Sequence, residues 1–105
     1  MADKDRSEAG DEPQLTDFGI AVFEVIDSTS AGEVMTYGEV AAEAGKPGTA
    51  RAVGTLLRNH GDGHPWWRIV ASNGRLVPHN QSEHARLLAD EGVVITDGRV
   101  RPVRD

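Results

Sequence analysis

Thr36-Tyr37-Gly38-Glu39-Val40-Ala41-Ala42-Glu43-Ala44-Gly45-Lys46-Pro47-Gly48-Thr49-Ala50-Arg51-Ala52-Val53-Gly54-Thr55-Leu56-Leu57-Arg58-Asn59 decides the fold. Thr36 and Glu39 have the spacing of a capping box, in which hydroxyl and carboxylate satisfy each other's orphan backbone amides. The helix they open runs through Val40, Ala41 and Ala44 and stops at Gly45, because glycine takes the left-handed conformation that ends a helix. Gly45-Lys46-Pro47-Gly48 is a tight turn, and Thr49 is the expected N-cap of the next helix. Helix, short glycine-containing turn, helix is a helix-turn-helix pattern, with the second helix in the recognition position. Along that helix Arg51, Thr55 and Arg58 fall at i, i+4 and i+7 and form one polar, cationic stripe. Ala52, Val53, Leu56 and Leu57 are expected to line the opposite, buried face.

Working outward, Leu15, Phe18, Val22, Val25 and Ile26 mark an earlier amphipathic helix with Thr16 as its N-cap. Ala31 to Met35 reads as a connecting loop. Downstream of Gly61-Asp62-Gly63 the apolar period shifts toward two. Arg68 to Ala71 and Arg75 to Val77 flank Asn73-Gly74, a hairpin signal, and this hairpin is the expected wing of a winged helix-turn-helix. Ser82 is the expected cap of a fourth helix through Ala85, Leu87 and Leu88 that ends near Glu91-Gly92. Val93 to Thr96 and Arg99 to Arg101 surround Asp97-Gly98, a second hairpin. The expected fold class is therefore mostly α with small β-hairpins, a winged helix-turn-helix. Residues 1–14 are expected to be a disordered acidic tail and 15–105 a single domain.

Composition narrows the function. A chain of 105 residues holds one domain at most. It contains no cysteine, which excludes disulfides, a thiolate nucleophile and thiolate-ligated zinc. No apolar run approaches spanning length, so no membrane association is expected, and cytoplasmic residence follows as the default. The formal charge of -6 argues against a nucleic-acid binder only as a sum. Asp3, Asp5, Glu8, Asp11 and Glu12 outweigh Lys4 and Arg6 at the N-terminus. Between positions 46 and 75, Lys46, Arg51, Arg58, Arg68 and Arg75 face only Asp62. A basic surface on an acidic chain fits modest, specific binding to DNA; a merely solvated face is the bland alternative.

Two words of the sequence carry a resemblance. Ala50-Arg51-Ala52-Val53-Gly54 and Pro65-Trp66-Trp67-Arg68, in this order, resemble the DNA-binding domain of the O6-alkylguanine-DNA alkyltransferases, in particular the alkyltransferase-like proteins. The active-site motif of the true enzymes runs Pro-Cys-His-Arg, and in the alkyltransferase-like branch Pro-Trp-His-Arg. Trp66 thus falls at the place of the alkyl-accepting cysteine, and Trp67 departs from both patterns. The resemblance implies that Arg51 enters the minor groove and fills the gap left by an everted nucleotide. That role suits a planar guanidinium, which can fill a stacking hole and pair with the orphaned base. It implies that Tyr37 crowds the phosphate 3′ of the target and that Asn59 is a hinge, although a turn-forming role explains Asn59 equally well. Glu91 aligns with the family glutamate but has no histidine to orient, and is read as a structural or hydrogen-bonding remnant. The segment Val77-Pro78-His79-Asn80-Gln81 lacks the Ser-Gly-Gly type sequence that closes the enzymes' pocket, which suggests a more open one.

The leading reading is non-enzymatic. With no nucleophile there is nothing to transfer an alkyl group to, and His60, His64, His79 and His84 are bases without a thiol to activate. The protein is expected to bind double-stranded DNA through Tyr37, Arg51, Thr55, Arg58 and Arg75. It is expected to hold an everted O6-alkylguanine in a pocket of Trp66, Trp67, Arg68 and Asn59, and to flag the lesion for nucleotide excision repair proteins. Of the two indoles, Trp67 is the candidate for facing the core. No cofactor, catalytic residue or metal is expected, and a monomer acting at the nucleoid follows. The alternatives are a winged-helix transcription factor or architectural protein without lesion preference, reading base edges in the major groove, and a protein-interaction domain without DNA affinity.

Overall fold

A computed structural model describes residues 16–77 and 80–100. The order of elements is α1 (Asp17–Asp27), β1 (Met35–Thr36), α2 (Tyr37–Glu43), α3 (Ala50–His60), a 3-10 turn (Trp66–Arg68), β2 (Ile69–Val70), α4 (Gln81–Asp90), β3 (Ile95–Thr96) and β4 (Arg99–Val100). The expected acidic tail, Leu15 and Arg101 lie outside the described residues.

The helix starts form largely as the sequence dictates. Thr16 Oγ1 accepts from the Gly19 amide at 3.1 Å and opens α1. The capping box of α2 is complete: the Glu39 amide donates to Thr36 Oγ1 at 3.0 Å, and the Thr36 amide to Glu39 Oε1 at 2.8 Å. Gly45 ends that helix at φ +100°, and Gly92 follows α4 at φ +86°. Two expected caps are corrected. Thr49 makes no cap hydrogen bond; its hydroxyl donates back to the Lys46 carbonyl at 2.7 Å, inside the turn. Ser82 lies within α4, because the chain already enters helical space after Asn80 (φ -150°, ψ 40°).

Two apolar clusters share one short strand. Val22, Phe23 and Ile26 of α1, Val40 and Ala41 of α2, Val53 of α3 and Ile69 of β2 form the first. Val70, Leu76, Leu88 and Val100 form the second, with Trp67 packed against them. Ile69 and Val70 point to opposite faces because successive strand residues alternate, so β2 closes both cores. Of the helical face expected to be buried, Val53 is buried and Leu56 and Leu57 are half-buried, whereas Ala52 is exposed.

The wing differs from expectation. Asn73-Gly74 does reverse the chain: Gly74 donates to the Ala71 carbonyl at 2.8 Å, Ala71 to the Arg75 carbonyl at 3.0 Å, and Gly74 has φ +85°. But the strand before it pairs in parallel with β1, Met35 with Ile69 and Thr36 with Val70. The segment Ala31 to Met35, expected as loop, therefore ends in a strand. A turn signal says where the chain reverses, while burial on both faces selects the pairing partner. Beyond the turn, Arg75 bridges antiparallel to Arg99 of the β3–β4 hairpin, whose turn at Asp97 (φ +55°) and Gly98 (φ +76°) forms as the sequence indicates.

Candidate functional site

The recognition helix, the 3-10 turn and the start of α2 surround a recess of about 750 Å³, within the size range of small-molecule and cofactor pockets. Ala50, Arg51, Gly54, Thr55, Leu57 and Arg58 form its α3 wall, the stripe that a 3.6-residue period places on one face. Tyr37 and Gly38 approach from α2, Gly61 and Asp62 from the loop, and Trp66 from the 3-10 turn. Ala71, Ser72, Val77 and Asn80 complete the rim. Five residues selected from the sequence (Tyr37, Arg51, Thr55, Arg58 and Trp66) thus converge on one concavity.

The wall has a mixed chemistry. Arg51 and Arg58 are exposed, and among the described residues neither forms a salt bridge. Tyr37 is half-buried. Burial pushes its phenol above the usual value, with the Arg58 charge opposing, so the hydroxyl stays protonated and can donate. Thr55 Oγ1 donates to the Arg51 carbonyl at 3.2 Å, one turn back. Gly54 leaves the middle of the wall bare: a Cβ built there would meet nothing within 4 Å. Gly61 is a different case. A Cβ there would collide with the Leu57 carbonyl oxygen, so the fold itself requires that glycine.

Three of the four residues expected in the pocket do not line it. Asn59 is exposed in the last turn of α3. Trp67 and Arg68 turn away into a polar cluster around Glu91. The Trp67 indole Nε1–H donates to Glu91 Oε2 at 3.0 Å. Arg68 donates through Nε to Oε1 at 3.0 Å and through Nη2 to Oε2 at 2.8 Å, the two-pronged geometry that suits a carboxylate. Its Nη1 reaches the Thr29 carbonyl at 2.7 Å, and the Gly32 amide donates to Glu91 Oε1 at 3.0 Å. Arg68 and Glu91 side chains keep only 14% and 13% of their exposure. Held by these donors, Arg68 first, the Glu91 carboxyl is lowered to about 2. The cluster ties the loop after α1, the 3-10 turn and the end of α4 into one unit. Arg75, expected to touch DNA, is exposed outside the recess.

His84 is the residue the sequence did not single out for structure. It is fully buried, the Val77 amide donates to its Nδ1 at 3.1 Å, and its Nε2 lies 2.7 Å from the Trp67 carbonyl. An acceptor role at Nδ1 and a donor role at Nε2 specify the neutral ring. Burial lowers its pKa accordingly, with the Trp67 carbonyl opposing. The ring also packs against Trp66, centroid to centroid 5.0 Å, while Trp67 meets Trp66 edge-on at 6.0 Å and 84°. Trp66 is therefore fixed from behind by two rings and contributes to the recess wall. In the sequence His84 is marked only by its place one turn before Leu87 and Leu88 on the same helix. No group of three or more metal-ligating side chains occurs among the described residues.

The chain and its fold are similar to those of known proteins. A family profile described as the DNA-binding domain of 6-O-methylguanine DNA methyltransferase matches residues 17–93. The chain is 36% identical over 87 residues to a protein of Vibrio parahaemolyticus called DNA base-flipping protein, covering 79% of this chain and 87% of that one. It is 31% identical over 88 residues to Alkyltransferase-like protein 1 of Schizosaccharomyces pombe, covering 78% and 82%. The fold superposes on the crystal structure of S. pombe Atl1 in complex with damaged DNA containing O6-carboxymethylguanine. The TM-score is 0.71 at 29% identity, over 80% of this chain and 83% of that one.

Proposed function

The chain belongs to the family of the 6-O-methylguanine DNA methyltransferase DNA-binding domain, and from that premise we propose that it recognises alkylated guanine in duplex DNA by nucleotide flipping and transfers nothing. The observation that carries this is the recess, which joins Arg51, Tyr37 and Trp66 on one concave surface. Arg51 would enter the duplex from α3 and occupy the stacking gap of the everted nucleotide. Tyr37 would press on the neighbouring phosphate, and Arg58 and Thr55 would hold the backbone. Trp66, standing where the family's enzymes carry their cysteine, would stack on the everted base from a position that His84 and Trp67 keep rigid.

The relatives' names, DNA base-flipping protein and Alkyltransferase-like protein 1, support this reading, and so does a chain without cysteine. A protein that holds a lesion without repairing it acts by handing it on. We assign it the flagging of alkylated guanine to nucleotide excision repair, as a monomer at the nucleoid within the cytoplasm.

The test is a binding comparison between matched duplexes that differ in one O6-methylguanine, with the intact protein weighed afterwards. Tighter binding to the alkylated duplex without a mass gain is expected. Equal affinity for both duplexes would replace the sensor with a winged-helix DNA binder that lacks lesion preference. A stoichiometric mass gain of one methyl group would make it an enzyme.

A further inference from the structure

The six arginines of the described residues sort into three pairs. Arg68 and Arg86 are neutralised, by Glu91 and by Glu83 with Asp90. Arg51 and Arg58 line the recess. Arg75 and Arg99 remain, and they stand opposite each other in an antiparallel bridge.

Bridge partners project to the same side of a sheet. Which side is settled by their neighbours: Leu76 and Val100, next in sequence to each arginine, are each 4% exposed and belong to the second apolar cluster. By alternation Arg75 and Arg99 point outward, together with exposed Thr96, the ladder partner of Arg99. Two like charges directly across a bridge repel and lower stability. Among the described residues no carboxylate lies within salt-bridge distance of either one, the turn residue Asp97 included. Among the described residues, therefore, two guanidiniums stand together with no anion between them.

The location indicates the anion. Ala71, Ser72 and Val77 line the recess on either side of the turn that carries Arg75. Three residues span at most ~10 Å from Ser72, the axial length of about three nucleotides of one strand. We propose that Arg75 and Arg99 form a two-guanidinium clamp for one backbone phosphate of the duplex, within about three nucleotides of the everted base. This rests on the DNA-binding function proposed above. It extends the binding surface to a hairpin outside the family match, which ends at Val93. Arginine suits the role because its planar fork can place two N–H groups on phosphate oxygens, and two forks on one phosphate offset the repulsion that the free protein carries.

The experiment uses the full chain as wild type, R99A, R99K, R75A and the double alanine variant, with duplexes containing guanine or O6-methylguanine. Between 50 and 200 mM salt, the double alanine variant should lose about 3.5-fold less affinity than wild type, the effect of one phosphate contact fewer, with R99A and R75A each between the two. The loss should be equal on both duplexes, since phosphate contacts carry no base information. R99K should restore most of the salt dependence, and R75A with R99A should cost less than the sum of the single changes. A scan of single neutral methylphosphonates should find one position that weakens wild type, weakens R99A less and leaves the double alanine variant unaffected. The Tm of R99A should equal or exceed that of wild type, as repulsion is relieved. A wild-type salt dependence in the double alanine variant, or no such methylphosphonate position, overturns the clamp alone. A wild type without affinity for either duplex overturns the proposed function and the clamp with it.

Discussion

Trp67 donates its indole N–H to the Glu91 carboxylate across 3.0 Å, and this bond sends the second of two adjacent tryptophans into the structure while the first lines the recess. The carboxylate read from the sequence as a remnant is the organising anion of the 3-10 turn. It collects donors from Trp67, Arg68 and Gly32.

Removing that anion should cost stability more than recognition. Glu91→Gln leaves the largely buried Arg68 guanidinium without its counter-charge. Breaking such a pair costs roughly 3–5 kcal/mol, and the lower end applies here because some exposure remains. A fall in Tm of more than about 10 °C is expected by calorimetry. A Tm within 2–3 °C of wild type, on the order of 0.5 kcal/mol, would mean that the cluster is ornamental.

The same group sets an acid limit. Its carboxyl titrates at about 2 in the fold against 4.5 ordinarily. Below pH 4.5 the unfolded chain therefore binds a proton that the folded one refuses. The Glu91 contribution is complete above pH 4.5 and is lost as pH falls toward 2. Denaturant titrations of wild type across that window should show the decline, and Glu91→Gln should show a shallower one.

His84 should give a second pH dependence, nearer neutrality. Its folded pKa lies below the ordinary 6.5 because the ring is buried neutral. Stability is then complete above 6.5 and declines as pH falls from there toward the folded value. A glutamine amide can reproduce both bonds, accepting from Val77 and donating to the Trp67 carbonyl, without titrating. Tm measured from pH 7.5 to 5 should fall less in His84→Gln than in wild type. Parallel curves would mean that His84 contributes no titration.

Gly54 separates the needs of the fold from those of a partner. It sits inside α3, where glycine costs roughly 0.5–1 kcal/mol relative to alanine, and the free protein has open space for a methyl group. Gly54→Ala should raise Tm by a few degrees and weaken duplex binding. If affinity is unchanged, no DNA backbone approaches α3 there.

Arg51 and the two tryptophans should divide discrimination from stability. Arg51→Ala should remove most of the preference for O6-methylguanine without lowering Tm. Trp66→Ala should reduce that preference, since base–aromatic stacking is worth about 1–3 kcal/mol. Trp67→Ala should instead lower stability, toward the lower end of the roughly 3–5 kcal/mol for losing a buried tryptophan, because its ring is only partly enclosed. Fluorescence gives the readout: Trp67→Phe should keep a lesion-dependent signal and Trp66→Phe should lose it. A signal that survives in Trp66→Phe would mean that Trp66 does not meet the base.

Local chemistry was legible wherever residues close in sequence satisfy one another. The capping box of Thr36 and Glu39, the N-cap at Thr16, the stop at Gly45, the Asp97-Gly98 turn and the cationic stripe on α3 are all specified within a few positions. What depends on distant segments was not legible. Nothing near Ile69 and Val70 says that their partner is Met35–Thr36 rather than the segment after Asn73-Gly74. Long-range burial makes that choice, since β2 must close two cores at once. Nor does Trp66-Trp67 say which ring faces the recess. Glu91, 24 residues from Trp67, and Thr29, 39 residues from Arg68, supply the acceptors that draw Trp67 and Arg68 inward, and a buried donor must find one. The sequence alone determined the helices, the caps at Thr16 and Thr36, the stop at Gly45 and the chemistry on the recognition helix, because short-range hydrogen bonds and periodicity suffice for these. Only the tertiary structure decided strand pairing, the division of labour between the tryptophans, the bond between His84 and Trp67, and the opposition of Arg75 and Arg99. Each of those is set by burial and charge between segments that the chain order keeps apart.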